Sequence, residues 1–304
     1  MLIDDIERYL ALRRSLGFKL EQAGEYLGSF AAFAAARGED HIHAQTAIEW
    51  ARTAPTAGAR YNRHRDIARA ARFLHVEDAG HEILPTGVFV RSKNKLIPYI
   101  FTPNDLRRLL DAAVECDRHQ YYAVQQQRYA MLFGLIAAAG LRVSEALDLR
   151  LGDILPDGVL HIRETKFRKS RLVPLHASVR DALDRYLALR RDFVGLADCL
   201  FLSARGRRLS YPVVNKAFRE IIRHADVAPG RARRPRIHDL RHTFATRVLE
   251  QCGAGRAAIA RHAVALMTYM GHSDLRYTYW YLQATPELMT EIATAAEALV
   301  GGAQ

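Results

Sequence analysis

Cysteine is scarce in this 304-residue chain: there are three, Cys116, Cys199 and Cys252, far apart and without metal-ligand spacing. An odd number so placed excludes a disulfide framework and points to a reducing compartment. Long apolar runs are also missing. The longest, Met131–Ala139, is too short to span a bilayer, and the N-terminus has neither a basic n-region nor an apolar h-region. A cytoplasmic protein is expected. Lysine is rare as well. Of 44 basic residues only Lys19, Lys93, Lys95, Lys166, Lys169 and Lys216 are lysines, so arginine supplies most of the positive side of a net charge of +11. Such an excess favours bidentate phosphate binding, although a genome that writes arginine for lysine leaves the same trace.

What remains is ordinary for a folded protein. Hydrophobic residues make up 49% and charged residues 25%, which argues against disorder, and the length suffices for two domains. Residues 96–304 carry 30 Lys/Arg against 21 Asp/Glu, and residues 1–95 carry 14 against 12. The excess therefore sits in the larger part.

Apolar spacing predicts four helices in the first 85 residues. Ile3, Ile6, Leu10 and Leu12 form one stripe, and Tyr26, Leu27, Phe30 and Phe33 a second. A short helix over Thr46–Arg52 takes Thr46 as its N-cap, and a fourth spans 58–76. That last helix carries Arg60, Arg63, Arg65, Arg69 and Arg72, with Asp66 as its one counter-charge. A charge run usually means a solvated face; here mutual repulsion favours neutralisation by phosphates. Residues 86–98, with Arg91, Lys93 and Lys95, are polar, basic and aperiodic, and read as a linker.

From residue 99 a second domain begins. Thr102 caps a helix with Pro103 at N1. Tyr129–Ala139 is apolar nearly all round and reads as a buried helix ending at Gly140. Residues 159–175 switch to period two and form a hairpin, with Lys166, Arg168, Lys169 and Arg171 around its tip. Helices follow at 178–191 and 210–223, with Leu200-Phe201-Leu202 a short buried strand or turn between them. A basic loop containing Arg233 and Arg234 then leads into His238.

On a helix over 238–247, His238, Arg241 and His242 share one face. Two histidines and an arginine make a poor core and a good anion site. Zinc is the weaker reading: the glutamate of a His-Glu-x-x-His motif is missing, and an arginine between two ligands opposes a dication. Farther on come Gly271-His272 and three tyrosines, Tyr277, Tyr279 and Tyr281, of which the first and last share a helical face.

His238-x-x-Arg241-His242, Gly271-His272 and a tyrosine nine residues later resemble the tyrosine recombinase (phage integrase) family. Gly140-Leu141-Arg142-x-Ser144-Glu145 is similar to the family's first box, and Thr165-Lys166 through Leu175 to its β-hairpin. The resemblance covers about residues 100–285. It implies a mainly α chain: a four-helix, SAM-like core-binding domain at 1–85, and a mostly α catalytic domain at 99–304 with a small antiparallel sheet, in the integrase-like DNA breaking-rejoining fold. It implies cleavage and rejoining of duplex DNA through a 3′-phosphotyrosine, without ATP or metal.

The same resemblance implies roles for single residues. Arg142 and Arg241 hold the scissile phosphate, Lys166 protonates the leaving 5′-hydroxyl, with Lys169 the competing assignment, and His238 manages the tyrosine proton. His272 donates to the phosphate, and the family's spacing selects Tyr281 as nucleophile. Arg60, Arg63, Arg65, Arg69, Lys93, Lys95, Arg168, Lys169, Arg171, Arg233 and Arg234 are expected on DNA. A dimer on each site and a tetramer in synapsis are expected, with other recombinases of the same element as further partners. The role is integration, excision or transposition of a mobile element, or Xer-type resolution; a silent DNA-binding regulator is the alternative from another class. The stretch from Glu250 to Tyr269 is longer than in common integrases and looks closer to transposon-borne relatives.

Overall fold

The structure is a computed structural model and describes residues 1–90, 97–117, 123–163, 170–191, 198–231, 234–251 and 256–271. It divides into two units, Met1–Leu96 and Ile97–Gln304, each with its own apolar core.

The first unit holds α1 (Leu2–Ser15), α2 (Glu21–Ala35), α3 (Ala44–Arg52) and α4 (Ala57–Glu77). Leu27 and Phe30 are fully buried, and the Trp50 ring meets Phe30 edge-on with centroids 5.7 Å apart. The stripe expected on α1 is partly wrong. Ile6, Tyr9 and Leu10 are buried, but Leu12 is 45% exposed, because two residues beyond Leu10 the helix has turned away from the core. Thr46 is also not a cap. It lies inside α3, buried, and donates to Glu39 Oε1 at 2.8 Å. The first amide of α3, Ala44 N–H, is satisfied instead by Glu82 Oε2 at 2.7 Å. That cap comes from far along the chain, where local spacing cannot show it.

Glu82 belongs to a clip that joins residues 39–44 to 78–82. His41 lies between the carboxylates of Asp40 (2.6 Å) and Asp78 (3.0 Å), which raise its pKa. Ile42 N–H donates to His81 Nδ1 at 3.1 Å, so the ring proton of neutral His81 sits on Nε2. His41, Asp78 and His81 are close enough to be metal ligands, and His41 Nε2 and Asp78 Oδ2 are hydrogen-bonded to each other.

The second unit is built from α5 (Pro103–Asp117), α6 (Ala123–Ala139), α7 (Val143–Asp148), β1 (Ile154–Leu155), β2 (Val159–Ile162), β3 (Arg171–Pro174), α8 (Ala177–Arg191), α9 (Tyr211–His224), α10 (Ile237–Glu250) and α11 (Arg256–Met270). Thr102 caps α5 as predicted: its hydroxyl accepts from Asp105 N–H at 3.1 Å, and Asp105 accepts from Thr102 N–H at 2.9 Å. On β2 Leu160 and Ile162 face the core. The predicted hairpin is β2–β3, with Ile162 opposite Arg171. β1 adds a third antiparallel strand; at two residues it is too short to show a period. Leu200, Phe201 and Leu202 are buried, flanked by single bridges (Arg150 to Cys199, Leu202 to Arg208) rather than forming a strand.

Two contacts fix α10. Phe101 N–H donates to Thr243 Oγ1 at 2.9 Å, and Arg247 Nη2 donates to Phe101 O at 2.7 Å, so the start of the unit is bonded to the helix through both peptide groups of one buried residue. On its other side α11 packs through Ala263, Leu266 and Met270 against Ala245 and Leu249. The long stretch after Glu250 is therefore largely a helix. Among the described residues no helix is long and apolar enough to cross a membrane.

Candidate active site

α6 stops at Gly140, whose φ of +60° favours glycine. A side chain there would overlap the Phe244 ring of α10, so glycine both ends the helix and lets α10 approach. Leu141 then drops into the core and Arg142 opens α7. Its backbone N–H donates to Glu145 Oε2 at 2.8 Å and its Nη1 to Glu145 Oε1 at 2.6 Å. The two residues thus form a local ion pair. Nη2 reaches Gly271 O at 2.9 Å, and the side chain remains 28% exposed.

Arg241 comes to the same place from α10. It is 1% exposed and donates to Gly140 O and, at 2.8 Å, to Met270 O. Its Nη1 lies 3.9 Å from Glu145 Oε2. Three stretches distant in sequence are thus stitched together by two guanidiniums: the first box, the His-x-x-Arg-His helix, and the residues just before His272.

Among the described residues, Glu145 is the carboxylate that these guanidiniums share. Arg171 Nη1 donates to its Oε1 at 3.0 Å and Arg171 Nη2 to its Oε2 at 2.8 Å. Burial alone would raise the pKa of Glu145. The bonds and charge of Arg171, and then Arg142, overcome that and bring it down to about 2. It is ionised at any working pH.

At the head of α10, Asp239 is buried and accepts from Arg236 N–H at 2.9 Å and Arg236 Nη2 at 2.8 Å. This cap sets the first turn and hence His238. The His238 ring reaches solvent yet has protein packed around it. That desolvation, followed by the charges of Arg241 and Arg236, pushes its pKa down to about 4. The ring is neutral and able to accept a proton. It meets His242 edge-on, with centroids 4.6 Å apart. Tyr269 stacks on Phe244 at 5.5 Å; burial raises its pKa against the pull of Arg171 and Arg241, which makes it a poor phenolate.

Arg142, Arg241 and His238 therefore share one site. Lys166, His272 and Tyr281 lie outside the described residues, as do Lys93, Lys95, Arg168, Lys169, Arg233 and the other two tyrosines of the 277–281 run. Arg234 is exposed. In the first unit several arginines serve their own fold. Arg60 Nε donates to Ala54 O at 2.8 Å. Arg63 Nη1 donates to Thr53 Oγ1 at 2.8 Å, with the guanidinium 4.4 Å from the Trp50 ring. Arg65 forks onto buried Asp66 at 2.9 and 3.0 Å. Arg69, 60% exposed and 3.7 Å from Asp66, is the most open of the four. A count of basic residues on a helix face did not reveal the bonds of Arg60 and Arg63, since their acceptors are a loop carbonyl and a hydroxyl.

Residues 100–287 match the phage integrase family. A protein of Sinorhizobium fredii named as an integrase/recombinase, y4rB, is 36% identical, with 94% of each chain covered. Tyrosine recombinase XerD of Chlamydia pneumoniae is 30% identical over 74% of this chain and 70% of its own length. Among solved structures, the Tn1549 transposon integrase in complex with transposon right end DNA aligns with a TM-score of 0.65 at 18% identity, covering 92% of this chain and 94% of that one. XerH site-specific recombinase bound to difH substrate, in its post-cleavage complex, gives 0.62 at 21% identity over 89% of this chain and 77% of that one. With the arginine cluster, these likenesses establish that the chain belongs to the phage integrase family of tyrosine recombinases.

Proposed function

We propose that the chain cuts and rejoins duplex DNA with Tyr281 as nucleophile and Arg142 and Arg241 as the cationic seat of the scissile phosphate. The observation that carries this reading is the convergence of those two arginines, through Glu145 and the carbonyls of Gly140, Met270 and Gly271. A phosphodiester resists attack because it is anionic, and fixed cations aimed at its non-bridging oxygens offset the charge that builds in the transition state. Arginine does so without losing its proton. Neutral His238 is suited to take the phenol proton as Tyr281 attacks phosphorus. The bond to the 5′-oxygen then breaks, and Lys166 supplies that oxygen with a proton. His272 adds a hydrogen bond to the phosphate. The 3′-phosphotyrosine ester keeps the energy of the broken bond, so a second 5′-hydroxyl can displace the tyrosine and restore a phosphodiester.

On this reading the first unit clamps DNA through exposed cations such as Arg69, the linker with Lys93 and Lys95 follows the backbone, and Arg168, Lys169, Arg233 and Arg234 approach it from the second. Two protomers occupy a site and four form the synapse, in the cell's DNA compartment. Integration, excision or transposition of a mobile element is the favoured role, supported by likeness to y4rB over nearly the whole chain. Likeness to XerD favours resolution as the second reading; flanking recombinase genes and terminal repeats separate the two. Incubation with nicked duplexes from the DNA flanking the gene, followed by a denaturing gel, tests the chemistry. A shifted adduct is expected with wild type and lost in Tyr281→Phe; salt-sensitive binding without any adduct on its own site would leave a silent regulator.

A further inference from the structure

We propose that Arg171 is a positioning residue for Arg142: it takes the Glu145 carboxylate in a two-pronged ion pair, so that Glu145 orients Arg142 without cancelling its charge. The inference rests on the reading of Arg142 as a phosphate-binding residue.

Charge counting motivates it. If Glu145 faced Arg142 alone, one negative and one positive charge would pair and leave little field for a phosphate. Instead Glu145 Oε1 is shared, 2.6 Å from Arg142 Nη1 and 3.0 Å from Arg171 Nη1, while Oε2 takes Arg171 Nη2 at 2.8 Å. Arg241 adds a third guanidinium 3.9 Å from Oε2. Among the described residues three guanidiniums face this one carboxylate, so Glu145 is shared rather than matched one to one with Arg142.

The geometry of Arg171 fits this role better than the DNA contact expected from its place near the hairpin tip. Its side chain is 12% exposed, and both terminal nitrogens are committed to Glu145. Nε is buried without a hydrogen-bond partner. To touch a phosphate it would have to abandon a buried bidentate pair, which is costly. Its backbone is fixed by the pairing of Ile162 with Arg171, so the fork stands on a rigid element. Gly271 lies against the same group: a Cβ there would come within 3.3 Å of Arg171 Nη1 and 3.7 Å of Arg142 Nη1. Arg171 thereby borders the turn whose carbonyl holds Arg142.

The test is a charge-rescue cycle in the full-length protein, read as the single-turnover rate of covalent adduct formation on a nicked duplex at saturating DNA. Arg171→Gln should slow that rate by about 100-fold, the scale of a misplaced catalytic group, with DNA affinity little changed. Adding Glu145→Gln to it should recover much of the rate, because the unbalanced carboxylate is gone. Arg171→Lys, which keeps the charge and loses the fork, should fall between wild type and Arg171→Gln. If Arg171→Gln weakens DNA binding while the saturated rate stays at the wild-type value, Arg171 is a phosphate contact and the proposal is overturned. It is equally overturned if the double variant shows the product of the two single losses, the mark of mere scaffolding. Should Arg171→Gln lack a native circular dichroism spectrum, the comparison of Arg171→Lys with Arg171→Lys/Glu145→Gln decides by the same rule. A wild type that forms no adduct instead removes the recombinase reading itself, an outcome distinct from a failed rescue.

Discussion

At the scale of single residues, environment sets what each side chain can do. His238 and Glu145 are both moved downward in pKa: burial, then Arg241 and Arg236, lower His238, whereas Arg171 and Arg142 lower Glu145 against its burial. For His238 the folded pKa of about 4 lies below the ordinary value near 6.5. The neutral ring therefore contributes to stability above about pH 6.5, and the contribution is lost as pH falls through the folded value. A proton NMR titration of the DNA-free protein should show His238 still neutral at about pH 5.5, where an ordinary histidine is mostly charged. A midpoint at or above 6.5 would mean that the desolvation and the arginine field are not felt, and that His238 carries charge near neutral pH as readily as a surface histidine.

The residues of this site were legible in sequence to different depths. Arg142, His238 and Arg241 stand out because charge at the exit of a buried helix, or on one helical face, has no reason to be there without a partner. Arg171 was legible only as a basic residue near a turn. Its fork onto Glu145 depends on the register of β2 with β3 and on the approach of α7, which no spacing within the hairpin encodes. The intramolecular bonds of Arg60 and Arg63 were hidden for the same reason: carbonyl and hydroxyl acceptors from the turn before α4 hold them.

At the scale of elements, the site depends on where helices stop. α6 ends at Gly140 with positive φ, α10 crosses closely over that point, and Arg241 seals the exposed carbonyl. Gly140→Ala forces a left-handed backbone on alanine and drives its methyl into Phe244. A loss of about 1–3 kcal/mol is expected from strain and overpacking, read as a lower urea midpoint, with a further drop in adduct formation because Arg142 and Arg241 shift together. A variant as stable and active as wild type would show that the close crossing is not required. Helix stops of this kind are visible in sequence, as are apolar faces such as that of α9. Caps drawn from distant chain, such as Glu82 on α3, are not, and β1 is too short to carry a signal.

At the scale of the whole molecule, two cored units and a strongly basic second unit match a protein that engages a polyanion over a large surface. The net charge of +11 should make duplex binding fall linearly in log affinity with log salt, through release of counterions from the phosphates that are neutralised. Fluorescence anisotropy across a salt series measures the slope. A flat response would argue against contact along the backbone and for a binding mode dominated by base edges.

The most direct measurement is the identity of the residue that becomes linked to DNA. The trapped adduct is digested with protease and the DNA-bearing peptide sequenced by mass spectrometry, with the DNA labelled at one end to give the polarity of the break. The predicted result is a peptide modified at Tyr281, joined to a 3′-phosphate, with the free 5′-hydroxyl on the released strand. Attachment through Tyr277 or Tyr279 would move the nucleophile. A 5′-linked strand, or a linkage through a residue other than tyrosine, would contradict the account of the chemistry.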